Sequence, residues 1–194
     1  MGKLFYIMGK SASGKDHIYA ALLENGQRKL KRLVLYTTRP RRDGEEDGRE
    51  YFFTDESGLE AFRREGKLIE AREYRTVHGP WTYFTADDGQ MDMDKNDYLG
   101  IGTLESFEKL KEYYGEDRIC PVYIEVEDGE RLERALKRER KQEEPKYEEM
   151  CRRFLADQKD FSEENIRKAG IQRRFVNEDL QECIDEIMRY ILSL

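Results

Sequence analysis

The chain has 194 residues, 40% charged and 38% apolar, with a formal net charge of −7 and a pI near 5.2, which suits one globular domain and argues against a dedicated duplex-DNA binder. Two histidines (His17, His78) and three scattered cysteines (Cys120, Cys151, Cys183) form no zinc spacing, and the cysteines read as free thiols in a reducing compartment. The N-terminus enters a strand-like run at once and no apolar stretch is long enough to span a membrane, so a soluble cytoplasmic protein with no membrane or nucleic-acid partner is expected.

In chain order, Lys3 to Met8 is a short apolar run between glycines and suits a buried parallel strand. His17 to Glu24 has helical spacing, with Ile18, Ala21 and Leu22 on one face. Arg32 to Thr37 reads as a second strand, residues 38–50 as a charged loop, and Tyr51 to Phe53 as strand-like. Glu56 to Glu65 predicts a short helix stopped by Gly66. Leu68 to Tyr74 and Trp81 to Thr85 predict strands of a small sheet, split by a turn at His78-Gly79-Pro80. Tyr98 to Ile101 is a short strand and Leu104 to Tyr114 an amphipathic helix. Ile119 to Val126 is a core strand with an irregularity expected at Pro121. Helices follow at Gly129–Arg140 and Tyr147–Phe161, joined by a charged hinge containing Pro145. Arg173 to Val176 is a last strand, and Leu180 to Leu192 a closing helix. Strands alternating with helices indicate an α/β fold around a parallel sheet.

Two segments carry chemistry. Gly9 to Asp16 (GKSASGKD) fits Gly-x-x-x-x-Gly-Lys between a predicted strand and a predicted helix. Glycines let backbone N–H groups wrap a phosphate, the lysine reaches the outer phosphates, and a helix N-terminus lies behind them. Gly9, Ser11, Ala12, Ser13, Gly14 and Lys15 are the expected cradle for ATP. The residue after the lysine is ordinarily Ser or Thr, whose hydroxyl meets Mg²⁺; here it is Asp16, a carboxylate able to hold Mg²⁺ directly or through water. Asp also suits the first turn of a helix, so both roles are open. The second segment runs from Thr37 to Phe53 (TTRPRRDGEEDGREYFF). Arg39 and Arg42 can fork onto a monophosphate, and the Tyr51 hydroxyl can add a donor.

These two segments resemble those of the guanylate kinase family, whose signature Thr-Thr-Arg-x-x-Arg-x-Gly-Glu-x-x-Gly-x-x-Tyr-x-Phe falls on residues 37–53 without a gap. The resemblance covers nearly the whole chain and is most specific in its first 55 residues. It implies a parallel-sheet P-loop kinase core, a small mixed acceptor lobe at about residues 37–90 and a helical lid at about 134–153. Arg39, Arg42 and Tyr51 would hold the acceptor phosphate, with Glu45 beside them. Leu68-Ile69-Glu70 looks like the family's Phe-Ile-Glu, whose glutamate accepts from guanine N1 and N2; the other reading of Glu70 is an exposed strand residue. Tyr83 looks like a second tyrosine at the acceptor phosphate, with strand packing as the other reading. Asn177, in Val-Asn-Glu-Asp-Leu, falls on an asparagine near the donor base, or serves as a turn residue. Arg134 and Arg153 fall on lid arginines that would close on ATP phosphates. Arg138 and Arg140 straddle a third such position without matching it.

The resemblance also breaks. Gly100 and Gly102 stand where the family has Asp-x-Asp, which serves the metal and the guanine, and Leu35 and Tyr36 replace serines, one of which helps read the guanine oxygen. The expected activity is transfer of the γ-phosphoryl of MgATP to a nucleoside monophosphate, most simply GMP, with Lys15, Arg39, Arg42, Arg134 and Arg153 supplying charge. One rival is a related kinase acting on a deoxynucleotide or a ribose bisphosphate, favoured by the missing aspartates and opposed by Glu70. Another is an inactive guanylate kinase-like binding module, opposed by the intact Gly14-Lys15.

Overall fold

The structure, a computed structural model, describes residues 2–76 and 79–194. Its centre is a five-stranded sheet in the order β2-β7-β1-β8-β9, parallel throughout. The strands are β1 (Leu4–Gly9), β2 (Leu30–Arg32), β7 (Asp97–Gly102), β8 (Ile119–Glu125) and β9 (Arg174–Val176). A four-stranded mixed sheet, β4-β3-β6-β5, stands beside it, built from β3 (Tyr36–Thr37), β4 (Phe52–Phe53), β5 (Leu68–Thr76) and β6 (Gly79–Ala86). The helices are α1 (Lys15–Glu24), α2 (Glu56–Arg64), α3 (Leu104–Tyr114), α4 (Asp128–Glu139), α5 (Tyr147–Asp160), α6 (Glu163–Lys168) and α7 (Leu180–Leu192).

Every residue of β1 is buried, as a central strand covered on both faces requires. Leu4, Tyr6 and Met8 face one apolar layer with Phe107, Leu110, Phe161 and Ile166. Phe5 and Ile7 face the other, with Ile18 and Leu22 of α1 and Ile184, Ile187 and Ile191 of α7. This period-two partition is what a continuous apolar run gives when helices lie on both sides.

The run expected as one strand over Arg32–Thr37 is two. Leu30–Arg32 pairs with β7 in the parallel sheet, whereas Tyr36–Thr37 pairs with β4 and β6 in the mixed one. Between them the Leu33 N–H still bonds to Leu99 O at 2.9 Å, and the Val34 N–H is taken by the Gln90 side chain at 2.8 Å. The chain thus changes sheets with the Leu33 and Val34 amides both paired. Pro121 causes no break: it pairs with Tyr6, at a level that β9, which pairs only with Tyr123–Glu125, does not reach. Gly79 and Pro80 belong to β6 rather than to a turn, and His78 lies outside the described residues. Residues 163–168 form a further short helix, capped by Ser162.

Two helix starts bear on the site. Gly14 precedes α1 at φ 84°, a left-handed conformation. Thr103 caps α3 in a capping box, its Oγ1 accepting from Ser106 N–H while Ser106 Oγ accepts from Thr103 N–H at 3.0 Å.

Candidate active site

The phosphate loop leaves the C-terminal end of β1 and turns into α1, the usual place for a ligand in a parallel sheet. Its glycines are needed for space. A Cβ on Gly9 would lie 2.7 Å from Ile124 O and 2.8 Å from Ser13 Oγ. A Cβ on Gly14 would lie 2.5 Å from Asn177 Nδ2, in addition to the strained φ. Ala12 sits at φ 64°, a conformation that costs a residue with a side chain about 1–2 kcal/mol. The Ser13 hydroxyl is buried and has no hydrogen-bond partner among the described residues. Lys15 lies with Nζ 3.7 Å from the Asp16 carboxylate, which is 81% exposed. No group of three or more His, Cys, Asp or Glu side chains converges on a metal position among the described residues.

Asn177, from the loop after β9, donates from Nδ2 to Ser13 O at 2.8 Å and is buried. Its own carbonyl accepts from Arg134 Nη2 at 3.1 Å, and Arg134 Nε reaches Glu130 at 2.9 Å. Asn177 therefore braces the phosphate loop, and Arg134 braces Asn177. Arg153 is exposed, has no hydrogen bond or ion pair among the described residues, and borders a cavity of about 200 Å³ with Ser11, Arg131 and Arg138.

A second grip on the loop was not legible in the sequence. Arg131 is 1% exposed and donates to Ser11 O at 3.0 Å, Asp128 at 2.6 Å and Asp157 at 3.1 Å, with its guanidinium over the Phe154 ring. Asp157 also accepts from Ser11 N–H at 2.6 Å. Lys10 donates to Gln158 at 2.6 Å, and Gln158 in turn to Asp128. The loop between Gly9 and Gly14 is thereby tied to both α4 and α5. The only sequence signal was the i,i+3 spacing of Asp128 and Arg131.

The mixed sheet carries the second half of the site. Arg39 is buried and fully committed: Nη1 and Nη2 fork onto Glu45 at 2.7 and 2.6 Å, Nη1 also reaches Pro40 O at 2.9 Å, and Nε reaches Tyr83 Oη at 3.1 Å. Its guanidinium lies 5.1 Å from the Tyr51 ring centroid and 5.4 Å from that of Phe53. The Arg39 fork, aided by the Arg42 backbone N–H, holds the Glu45 carboxyl down to about 2. Burial raises the Tyr51 phenol, whose ring packs 5.4 Å from that of Tyr83. Arg42 differs from Arg39: its side chain is exposed and has no hydrogen bond or ion pair among the described residues.

Glu70 faces the same side as Thr85, its register partner, and is buried. Its Oε1 accepts from Thr85 Oγ1 at 2.8 Å and its Oε2 from Arg72 Nε at 3.1 Å. Arg72 Nη1 then donates to Thr103 Oγ1 at 3.0 Å, which ties the mixed sheet to the end of β7.

The glycines at 100 and 102 have a structural cause. Gly100 pairs with Tyr6 across the sheet, and a Cβ there would lie 2.7 Å from the Tyr6 ring. A Cβ on Gly102 would lie 2.1 Å from Tyr6 Oη. Tyr6 Oη instead pairs with Ser106 Oγ at 2.8 Å, and burial pushes its phenol well above the ordinary range. The tyrosine occupies the volume that side chains at 100 and 102 would need.

The sequence model of the family described as guanylate kinase matches residues 1–193. The chain belongs to the guanylate kinase family. Curated relatives agree. A guanylate kinase of Porphyromonas gingivalis is 29% identical over 195 residues, covering 98% of this chain and 97% of that one. One from Thermus thermophilus is 41% identical over 73 residues, 38% of this chain and 32% of its own. Among solved structures, guanylate kinase from Anaplasma phagocytophilum superimposes with a TM-score of 0.65 at 22% identity, covering 99% of this chain and 85% of that one. Tyr6, Gly100 and Gly102 lie together along the β1–β7 seam of this chain.

Proposed function

We propose that the protein transfers the γ-phosphoryl group of ATP to GMP, giving ADP and GDP. The observation that carries this reading is the placement of two half-sites at one end of the parallel sheet. The phosphate loop opens after Met8, Met8 pairs with Gly102, and the next residue, Thr103, accepts a hydrogen bond from Arg72 on the same face as Glu70 and Tyr83. The family match and the relatives' names support the same chemistry.

In this reading, backbone N–H groups of the phosphate loop, other than those of Ser11 and Ser13 that already bond to Asp157 and to Lys10 O, and the Lys15 ammonium hold the outer phosphates and stabilise the charge that moves onto them in transfer. Arg42, whose side chain has no hydrogen bond or ion pair among the described residues, takes the acceptor phosphate. Arg39, held by Glu45 and Tyr83, fixes the Tyr51 wall beside it and joins the phosphate if Glu45 gives way. Glu70 accepts from guanine N1–H and N2–H. An acceptor phosphate oxygen attacks the γ-phosphorus as the bond to ADP breaks, and no side-chain base is required because that oxygen is already anionic. Arg134 and Arg153 supply positive charge from a lid at about 134–153, over an acceptor lobe at about 37–90. Asn177 orders the loop on the donor-base side.

A divalent cation fits this arrangement at Asp16: Mg²⁺ is ordinarily held by one or two carboxylates together with substrate phosphates, and the exposed Asp16 carboxylate beside Lys15 offers one such oxygen ligand. Bound there, Mg²⁺ would neutralise phosphate charge. Free thiols at Cys120, Cys151 and Cys183 support a cytoplasmic setting, and no helix among the described residues is long and apolar enough to cross a membrane. The deciding experiment is coupled ADP release with GMP, dGMP, AMP, UMP and ribose phosphates. GMP should give the highest kcat/KM; preferred turnover of a ribose phosphate would replace this reading.

A further inference from the structure

We propose that Arg72 is the specificity-determining donor of the acceptor site, placing a guanidinium N–H on the 6-keto oxygen of the acceptor base while Glu70 takes the adjacent ring N–H and amino group. This rests on the acceptor reading above and names how that site selects its base. The register of β5 against β6 puts Arg72 opposite Tyr83 and Glu70 opposite Thr85, so all four side chains leave one face of the sheet. Within that face Arg72 and Glu70 form one rigid unit. Glu70 is fixed from two sides, by Thr85 Oγ1 at 2.8 Å and Arg72 Nε at 3.1 Å. Arg72 is fixed by Glu70 and by Thr103 Oγ1 at 3.0 Å.

What remains open on this unit has a definite chemistry. Arginine carries five N–H donors in a planar fork. Nε and Nη1 are engaged, while Nη2 has no partner among the described residues, on a side chain only 15% exposed. A largely desolvated cation with unused donors is poorly satisfied until an acceptor atom arrives. The side chain also borders a cleft of about 670 Å³ whose lining includes Ala71, Glu73, Tyr74, Thr103 and Leu104 but not Glu70, so a ligand can reach Arg72 from that side. Glu70 meanwhile keeps unused lone pairs, since a carboxylate offers about four acceptor positions. The face therefore presents a fixed donor beside a fixed acceptor. Guanine presents the complement: a keto oxygen next to a ring N–H and an amino group. Adenine has no keto oxygen and no ring N–H on that edge, so it satisfies the unit less completely.

The test compares GMP with 6-thio-GMP, whose sulfur is a weaker hydrogen-bond acceptor, and with IMP, which lacks only the amino group. Steady-state kcat/KM is measured with ATP for the unaltered protein, Arg72→Ala and Arg72→Lys, each checked for a cooperative thermal transition. The unaltered protein should favour GMP over 6-thio-GMP by about 10-fold, the scale of one hydrogen bond from a charged donor. Arg72→Ala should lower kcat/KM for GMP by about 10- to 100-fold, chiefly through KM, and bring the GMP to 6-thio-GMP ratio near unity. Arg72→Lys should retain part of that ratio, and the GMP to IMP ratio should be unchanged in Arg72→Ala. An equal fall for GMP and 6-thio-GMP in Arg72→Ala overturns the inference, because Arg72 then only orients Glu70 or grips the phosphate. A ratio near one in the unaltered protein overturns it without any variant, so misfolding of Arg72→Ala cannot shield it. Absence of GMP turnover by the unaltered protein is a separate failure: it removes the acceptor reading, and this inference with it.

Discussion

Glu45 accepts two hydrogen bonds from Arg39 and one from the Arg42 backbone, and its carboxyl is held at about 2 instead of the ordinary 4.5. Because the folded value is depressed, the unfolded chain takes up the proton first as pH falls. The stability that Glu45 contributes is complete above about 4.5 and is lost as pH drops toward about 2. Melting temperatures of the parent and Glu45→Gln, compared between about pH 6 and pH 3, should converge as pH falls; a constant gap would contradict the linkage. Arg42 bonds to Glu45 only through its backbone, at 2.8 Å. Arg42→Ala should therefore leave stability within about 0.5 kcal/mol while raising the acceptor KM by an amount on the order of 2–4 kcal/mol, with the ATP KM little changed. Equal effects on both substrates would remove Arg42 from the acceptor phosphate. At Asp16 the readout is the Mg²⁺ dependence of activity. Asp16→Ser should leave appreciable activity, and Asp16→Ala should demand more Mg²⁺. If Asp16→Ala tracks the parent at every Mg²⁺ concentration, the carboxylate is only a residue of the α1 first turn.

At the scale of elements, α4 and α5 are held to the phosphate loop by charge rather than by apolar packing. The buried residues of α4 are Arg131, Ala135 and Glu139, spaced four apart, and only one is apolar. Hydrophobic periodicity has nothing to register on such a face, which is why the sequence showed a charged helix and not its anchor. Removing Arg131 would leave Asp157 and Asp128 without their buried partner, so Arg131→Ala should destabilise the fold by about 3–5 kcal/mol, read from denaturant unfolding. Arg131→Lys should recover only part of this, since one ammonium cannot reach Ser11 O, Asp128 and Asp157 together. A loss below about 1 kcal/mol in Arg131→Ala would show the network to be dispensable. The split of Arg32–Thr37 into β2 and β3 belongs to the same scale. Leu33 and Leu35 are buried and Val34 is half-buried, so the run is apolar on both sides and carries no local mark of where one sheet ends.

Across the whole molecule, Tyr6 links β1, β7 and α3: its ring fills the space over Gly100 and Gly102, and its hydroxyl meets Ser106. Placing an aspartate here as Gly102→Asp would drive a side chain into Tyr6 Oη, where a Cβ alone lies at 2.1 Å. Overpacking of this kind costs about 1–3 kcal/mol or more. Gly102→Asp should therefore melt lower than the parent, and adding Tyr6→Leu should recover part of the loss. A Gly102→Asp protein as stable as the parent would show that Tyr6 is not the obstacle.

The glycine-rich loop before α1, the charged loop before β4 and the alternation of strands and helices were all legible in the sequence alone. Each of these depends on neighbours in the chain: glycine placement before a helix, paired arginines around a turn, and apolar runs of strand length. The structure decided which cations are free and which are spent. Arg39 and Arg42 are three residues apart and alike in sequence, yet one is buried on Glu45 and Tyr83 and the other is open to solvent. Arg72 meets Thr103 across 31 positions, Arg131 meets Ser11 across 120, and Asn177 meets Ser13 across 164. No local pattern encodes such pairs, because their partners are brought together only when the sheet order β2-β7-β1-β8-β9 is closed.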